Sequence, residues 1–540
     1  MTKGRICKAC RQEIERDILD ANLSICPFCG HYMRLHAKKR IMSLADKNSF
    51  FEWDSNIKWS NPLNDDVYAK KLVATTAKHN LNDAIITGEM DIKGEHLAIG
   101  VMDSRFMMAS MGYVVGEKVT RLFEKSRKKK LPVILFCCSG GARMQEGIIS
   151  LMQMEKTVAA VKKHDEAGLL FVSVLTEPTM GGVTASFGML ADIVLAEKGA
   201  SIGFAGPRVI EQNIGEKLPE GFQTSDFQLI HGFVDDAISR SDIKSYLSKI
   251  IEVHSKKSRH INFKKSRMHV DFMTEILNKQ LDAWETVQKV RSRERPTSLD
   301  YINEIFDDFV EFHGDKVSYD DHAIVGGIAK IYGKSVTVIG QQKGKSSVDE
   351  AVYRNWGMPL PSGYRKVLRF MKQAEKFKRP IICFVDTIGA ACGIEAEEQG
   401  QGYVIASVLR ETSNIKVPIL SIIHGEGGSG GALALSVANE VWILENAVYS
   451  ILSPEGYASI LWKDRSKASE AARLMEMTSV ELYERKIVDK VFVEPKDLNR
   501  TNMDLLCLQL KEEIAVFLSK FNKKKEREIL YERNKRFRKF

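Results

Sequence analysis

Residues 131–147, LPVILFCCSGGARMQEG, read as a buried apolar strand, a Gly-Gly turn and the start of a helix. Residues 379–400, RPIICFVDTIGAACGIEAEEQG, read the same way, with Pro132 answered by Pro380, Gly140 by Gly389 and Glu146 by Glu395. Working outward, LFVSVLTEPTMGGVTASFGMLADIVLAEKGASIGF (170–204) has its partner in VPILSIIHGEGGSGGALALSVANEVWILENAVYSIL (417–452). Counted on the glycines, Gly181-Gly182 falls on Gly430-Gly431 at an offset of 249, while the prolines give 248. Upstream, Gly88 and Gly94 match Gly327 and Gly333 at 239, which places about ten extra residues near 343–363. One α/β unit is used twice.

The boundaries follow from that repeat. Residues 1–33 form a small cysteine-bearing module, 34–255 the first unit, 256–300 a basic helical connector and 301–540 the second unit. The connector is predicted from a stretch without Gly or Pro between 251 and 295, closed by Pro296.

Composition excludes several classes. Hydrophobic residues make up 44% of the 540 and charged residues 28%, which is ordinary globular usage. The apolar runs 131–138 and 380–385 have the length of buried strands, well short of the roughly 18 residues of a membrane span. Residues 1–30 carry cysteine pairs where an export signal would carry an apolar block, so the chain is expected to be cytoplasmic. The net charge of +9 is concentrated: residues 519–540 hold ten Lys/Arg against three Asp/Glu. A solvated helix face is the favoured reading of that tail and nucleic-acid binding the lesser one.

Four of the nine cysteines form a pattern. ICKAC and ICPFC place Cys7, Cys10, Cys26 and Cys29 in two CxxC knuckles, the spacing of one tetrahedral zinc with no open position. Paired disulfides are the alternative, which a reducing compartment disfavours. Such a site is structural.

The repeated glycine turns carry the chemistry. Each follows a strand and opens a stretch of small residues, VTASFGMLA or ALALSVAN, predicted as a helix. N–H groups at such a turn have no partner within the helix, and glycine lets a ligand approach the backbone closely, so a developing oxyanion can be held there. Two decoys fail. Gly427-Gly428-Ser429-Gly430-Gly431 fits a nucleophile elbow with His424 nearby, but the matching position in the first unit is no serine. The Gly-Lys-Ser runs at 333 and 344 lack the leading glycine of a phosphate loop, since 328 and 339 are both Ile. No dinucleotide fingerprint opens either unit, so neither an ATP nor an NAD site is indicated.

At these residues the chain resembles a fusion of the two carboxyltransferase subunits of bacterial acetyl-CoA carboxylase, beta followed by alpha. The beta likeness rests on the cysteine ribbon, SGGARMQEG (139–147), SLMQMEKT (150–157), LTEPTMGGVTASF (175–187) and IGFAGPRVIEQ (202–212). The alpha likeness rests on TSLDYI (297–302), AIVGGIA (323–329), QQKGK (341–345), NWGMPLPSGYRK (355–366), GEGGSGGALA (425–434) and SPEGYASILWK (453–463). One departure stands at 387–393, TIGAACG, where the family has T-P-G-A-Y-P-G.

The resemblance implies a ribbon followed by two crotonase-like (ClpP/crotonase) α/β domains. It implies carboxyl transfer from N-carboxybiotin, borne by a separate biotin carboxyl carrier protein, to acetyl-CoA, giving malonyl-CoA for fatty acid synthesis. ATP would be used by a separate biotin carboxylase. Gly181 and Gly182, with Gly140 and Gly141, are assigned to the thioester oxygen. Gly430 and Gly431, with Gly389, are assigned to the biotin carbonyl. Arg208, Lys343 and Arg365 are candidates for the CoA phosphates, zinc is structural, and the chain is expected to form a homodimer with two sites. No haem site is expected. A crotonase-type hydratase or decarboxylase, with Glu146 or Glu395 as acid or base, is the competing enzyme reading; acetyl against propionyl preference stays open.

Overall fold

The computed structural model describes residues 4–59, 61–207, 210–211, 217–255, 282–344 and 347–539. The chain divides into two compact units, Met1–Ser255 and Lys256–Phe540.

The first unit begins with a ribbon, a hairpin of β1 (Arg5–Ile6) and β2 (Glu13–Ile14). Its small core is Cys7, Ile14, Leu19 and Cys26. Behind it stands an eight-stranded sheet. Its strands are β3 (Phe51–Trp53), β4 (Ile85–Ile92), β5 (Glu95–Met102), β6 (Val133–Ser139), β7 (Phe171–Met180), β8 (Ile193–Glu197), β9 (Ile202–Gly203) and β10 (Asp236–Ile238). The order is β10-β8-β7-β6-β5-β4-β3, with β9 added to β7. The β4–β5 hairpin and the β3 edge are antiparallel and the rest parallel. β6 is buried along its whole length, as a central parallel strand flanked by helices must be.

The second unit repeats this order. β11 (Asp307–Glu311), β12 (Ile324–Ile331), β13 (Lys334–Gln341), β14 (Ile381–Thr387), β15 (Ile419–Gly428), β16 (Glu440–Leu444) and β18 (Lys490–Phe492) follow one another across the sheet, and β17 (Val448–Ser450) joins β15. Both antiparallel hairpins turn through two positive-φ residues, Lys93-Gly94 and Tyr332-Gly333, the left-handed pair that matches strand twist.

Strand register corrects the glycine-counted alignment. Val133 pairs with Phe171 and Ile381 with Ile419, so the central strands of the second unit lie 248 positions after their counterparts. The same offset carries Met107-Met108-Ala109, all at positive φ, onto Asn355-Trp356-Gly357, also all at positive φ. It carries Gly181 (φ 61) onto Ser429 (φ 56) and therefore Gly182 onto Gly430, one residue earlier than the glycine pairs suggest. The helix Val348–Tyr353 lies in the extra segment of the second unit.

In the second unit the small-residue helix forms, as Ser429–Ser436. In the first it does not: turns lead into a short 3-10 segment, Phe187–Met189. There the Ser186 hydroxyl donates to the Gly182 carbonyl, and Gly188 N–H turns back to Val183, which diverts the backbone from an α ladder. Within the connector, residues 256–281 lie outside the described residues. Its remainder includes the helix Ala283–Val290, which packs Ala283, Val287 and Val290 on Val448, Ala472 and Met477 of the second unit.

The basic tail is not a wholly solvated face. In the helix Glu526–Arg538, Arg533 is fully buried and donates to the carbonyls of Thr412, Ile415 and Val417 and to Asn439 Oδ1. With no carboxylate bonded to it, burial lowers its guanidinium to about 10. Among the described residues, no helix is long and apolar enough to cross a membrane.

Candidate active site and metal site

The ribbon's two knuckles are built alike. Cys7 N–H donates to Gln12 O and Arg11 N–H to Cys7 O; Cys26 N–H donates to His31 O and Gly30 N–H to Cys26 O. Arg11 and Gly30 both take positive φ to close these turns. The four Sγ atoms lie within 4.8 Å of one another, with Cys7–Cys29 and Cys10–Cys26 both at 3.7 Å. A tetrahedron with ~2.3 Å metal–sulfur bonds has edges of ~3.8 Å, so the cluster fits a metal ion. The Cys10 N–H leads in lowering the Cys7 thiol to about 7. On Cys29 the His31 N–H favours the thiolate, but burial and the sulfurs of Cys10, Cys26 and Cys7 outweigh it and push the thiol up to about 12. Four crowded thiolates need a cation. Cys26→Ser is expected to abolish stoichiometric metal and to unfold the ribbon, because binding energy here is folding energy; full metal content in that variant would refute the assignment.

The ribbon is tied to the sheet by one arginine. Arg240 donates to the carbonyls of Leu23, Ser24 and Met33, and pairs with Glu197 at 2.6 Å. Glu197, at the end of β8, also binds Arg40 at 2.9 Å. Burial raises its carboxyl, but the two guanidiniums more than reverse this and hold it at about 2.

The turns after β6 and β14 share a design. Gly141 N–H donates to Ser139 Oγ at 3.0 Å, and Gly389 N–H to Thr387 Oγ1 at 3.1 Å, each hydroxyl returning to the glycine's own carbonyl. Both glycines have positive φ, 109° and 152°. The hydroxyl strand ends thus fold each turn. The turns after β7 and β15 pack against them: an added Cβ on Gly181 would stand 2.9 Å from Gly141 Cα, and one on Gly431 2.5 Å from Ala390 N.

Several of the expected donors are spent on this construction. Gly140 N–H bonds to Met108 O, Gly141 N–H to Ser139, Gly181 N–H to Phe204 O and Gly389 N–H to Thr387. Among the described residues, the N–H groups of Ala142 and Gly182 have no partner in the first unit. Their counterparts 248 residues on are Ala390, likewise without one, and Gly430, in the first turn of the helix Ser429–Ser436, where amides have no i−4 helical partner. Ala142 was beyond sequence reasoning as a donor, since a backbone amide carries no side-chain signature.

Behind the first turn lies a buried polar cluster. Arg143 donates to Asp83 at 2.7 and 2.9 Å, to Glu146 at 3.2 Å and to Ser110 O at 2.8 Å, all without exposure of either charged group. Glu146 further accepts Tyr68 OH at 2.7 Å and Tyr113 N–H at 2.6 Å. That carboxylate clamps the turn and is not placed as an acid or base. Glu395 is exposed and accepts only Gln399. The hydratase reading loses both of its candidates.

The other side chains singled out are placed as follows. Lys343 is held by Asp386 at 2.7 Å and Glu426 at 2.9 Å; burial alone would lower its ammonium, and the two carboxylates instead hold it well above the ordinary lysine value. Arg365 pairs with Asp315 at 2.7 Å. A CoA phosphate would have to break either ion pair, so neither charge is available as expected. Arg208 lies outside the described residues. Ser429 takes the left-handed conformation that its counterpart Gly181 takes freely, yet no base reaches it: His424 is buried and meets Ser298 Oγ at 2.9 Å. The nucleophile elbow is absent.

Two tandem α/β units with matching turns after their central strands are the frame into which the class falls. The family model described as a carboxyl transferase domain matches residues 34–225, and that described as acetyl co-enzyme A carboxylase carboxyltransferase-like matches 239–540. An acetyl-coenzyme A carboxylase carboxyl transferase subunits beta/alpha protein of Clostridium tetani is 50% identical over 534 residues, covering 99% of this chain and 92% of its own. A protein of the same name from Natranaerobius thermophilus is 50% identical over 547 residues, covering 98% and 90%. The transcarboxylase 12S crystal structure with methylmalonyl-coenzyme A and methylmalonic acid bound shares the fold, with TM-score 0.72, 22% identity and 91% of each chain covered. The chain belongs to the acetyl-coenzyme A carboxylase carboxyl transferase family, in the form with beta and alpha parts on one polypeptide.

Proposed function

We propose that the chain transfers the carboxyl group of N-carboxybiotin, carried by a biotin carboxyl carrier protein, to acetyl-CoA, forming malonyl-CoA. The observation that carries this reading is the pair of like-built turns with spare amides: Ala142 and Gly182 in the first unit, Ala390 and Gly430 in the second. The reaction develops negative charge on two oxygens. The N–CO₂ bond breaks and leaves its electron pair on the ureido group, whose oxygen takes the charge. That anion accepts the methyl proton of acetyl-CoA, and the resulting enolate carbon bonds the CO₂. The first unit's amides serve the thioester oxygen and the second unit's the ureido oxygen. Preorganised N–H groups do this without a protein acid or base, in keeping with the structural duty of Glu146.

Zinc held by Cys7, Cys10, Cys26 and Cys29 supplies folding energy to the ribbon and takes no part in the reaction. ATP is consumed by the separate biotin carboxylase, and the setting is the reducing cytoplasm. Two chains pair to make two sites; sedimentation giving a fully active monomer would overturn that pairing. The reading as a whole is tested by running the reaction backwards. Purified chain with biocytin and malonyl-CoA is expected to release CO₂ only when both are present; decarboxylation independent of biocytin, or none, would sink it.

A further inference from the structure

We propose that the groove between the cysteine ribbon and the first sheet seats the phosphate-bearing end of the acyl-CoA. This rests on the acyl-CoA reading of the first unit. The groove has a cavity volume of about 840 Å³, the size of a ligand pocket. Arg5, Lys8 and Arg34 line it from the ribbon side and Lys198 from the turn after β8. Among the described residues none of these four has a carboxylate partner. Elsewhere on the unit some cations are matched, as Lys125 is with Asp54 and Lys129 with Glu89, and others stand singly on the surface; what sets these four apart is that they line one cavity. Of the two acids that line the groove only Glu177 offsets its charge, and it leaves the groove net positive. Glu197 is buried between Arg40 and Arg240, and Glu177 is turned to the Ser201 N–H at 2.7 Å.

Four unmatched cations around one cavity repel one another until an anion enters. The pyrophosphate and 3′-phosphate of CoA bring about four negative charges. Arg34, on the wall of the groove, also reaches the turn of the proposed thioester site. Arg34 Nη1 lies 3.5 Å from Met108 Sδ, and Met108 O is the acceptor that holds Gly140 N–H in the turn before Ala142. A CoA with its phosphates among these cations would send its pantetheine arm toward that turn. A nucleic acid would instead call for cations strung along an extended stripe, with stacking platforms between them.

The test compares three substrates in biocytin-dependent decarboxylation: malonyl-CoA, 3′-dephospho-malonyl-CoA and malonyl-pantetheine, the last without any phosphate or nucleotide. Lys8→Gln, Arg34→Gln and Lys198→Gln are each expected to raise KM for malonyl-CoA about three- to tenfold, and the Lys8→Gln/Arg34→Gln pair by more than either alone. KM for malonyl-pantetheine and for biocytin should stay within about twofold, a split that ribbon damage would not produce. Lys162→Gln, which removes an exposed charge paired with Asp165 outside the groove, should leave every KM alone. Unchanged KM for malonyl-CoA, or a parallel rise with malonyl-pantetheine, overturns the proposal. So does loss of salt-dependent RNA binding with KM unmoved, which would make the groove a nucleic-acid site. If the wild-type chain decarboxylates nothing, the acyl-transfer reading fails separately, and calorimetric Kd values for CoA against pantetheine, wild type against variants, decide the groove.

Discussion

Gly182→Pro is expected to lower biocytin-dependent turnover of malonyl-CoA about a hundred- to thousandfold, while Gly182→Ala keeps most of it. Proline deletes the N–H at a φ outside the left-handed region that only glycine favours, and its ring also restricts Gly181 before it, which thermal melting controls for. Alanine keeps the N–H, and its Cβ would meet the flexible side chains of Met154, Sδ at 3.3 Å, and Met111, Cε at 3.6 Å. Losing one preorganised oxyanion donor costs about 3–4 kcal/mol of barrier. Gly430→Pro should produce a loss of the same order on the other substrate, because proline is tolerated in the first turn of a helix and its missing N–H was free to bind a ligand. Initial rates with each substrate varied in turn, alongside thermal melting, decide this. Proline variants that melt like wild type and turn over at near-wild-type rates would end the amide-donor mechanism. Gly431 is the wrong residue for such a test. Any side chain there drives into Ala390 N at 2.5 Å and Tyr364 OH at 2.8 Å, so a loss would report packing.

The largest effect on stability is expected from Glu197→Gln. It leaves Arg40 and Arg240 buried without their shared counter-charge, and breaking such a buried cluster costs about 3–5 kcal/mol. Because Arg240 also carries three ribbon carbonyls, the ribbon should loosen with it, seen as lost amide protection around Leu23, Ser24 and Met33. The pH dependence has a definite sign. The Glu197 carboxyl is depressed from 4.5 to about 2, so its contribution is fully present above 4.5 and is lost as pH falls from there through 2. The variant should lack that share of the acid sensitivity. A penalty under about 1 kcal/mol, or an acid profile identical to wild type, would show that the cluster holds nothing.

Much of this was legible in the sequence. The duplication, the strand–turn–helix units and the cysteine knuckles are local patterns, and local patterns survive without coordinates. The alignment slipped by one residue because glycines were matched to glycines, whereas the fold matches backbone conformation: Ser429 occupies the left-handed position of Gly181. A serine at that position gives no sequence cue. Ser139 and Thr387, whose hydroxyls fold the two turns, were equally silent, because a Ser or Thr at a strand end usually means nothing. Lys343 and Arg365 looked like free cations, since Asp386, Glu426 and Asp315 lie 43 to 83 residues away in sequence. Burial of Arg533 was beyond reach for the same reason. Its acceptors precede it by more than ninety residues, and its own helix reads as mostly charged.

Arg533 has one more consequence. Its hydrogen bonds all go to carbonyl dipoles and one amide oxygen, and Glu375 acts on it only through space, so there is no contact ion pair for dissolved ions to replace. Concentrated salt will screen half-buried pairs nearby such as Lys524–Glu532 more than it disturbs this anchor. The terminal helix should therefore stay docked at ionic strengths that strip polyanions from basic surfaces, and detach with urea, which competes for the same carbonyls.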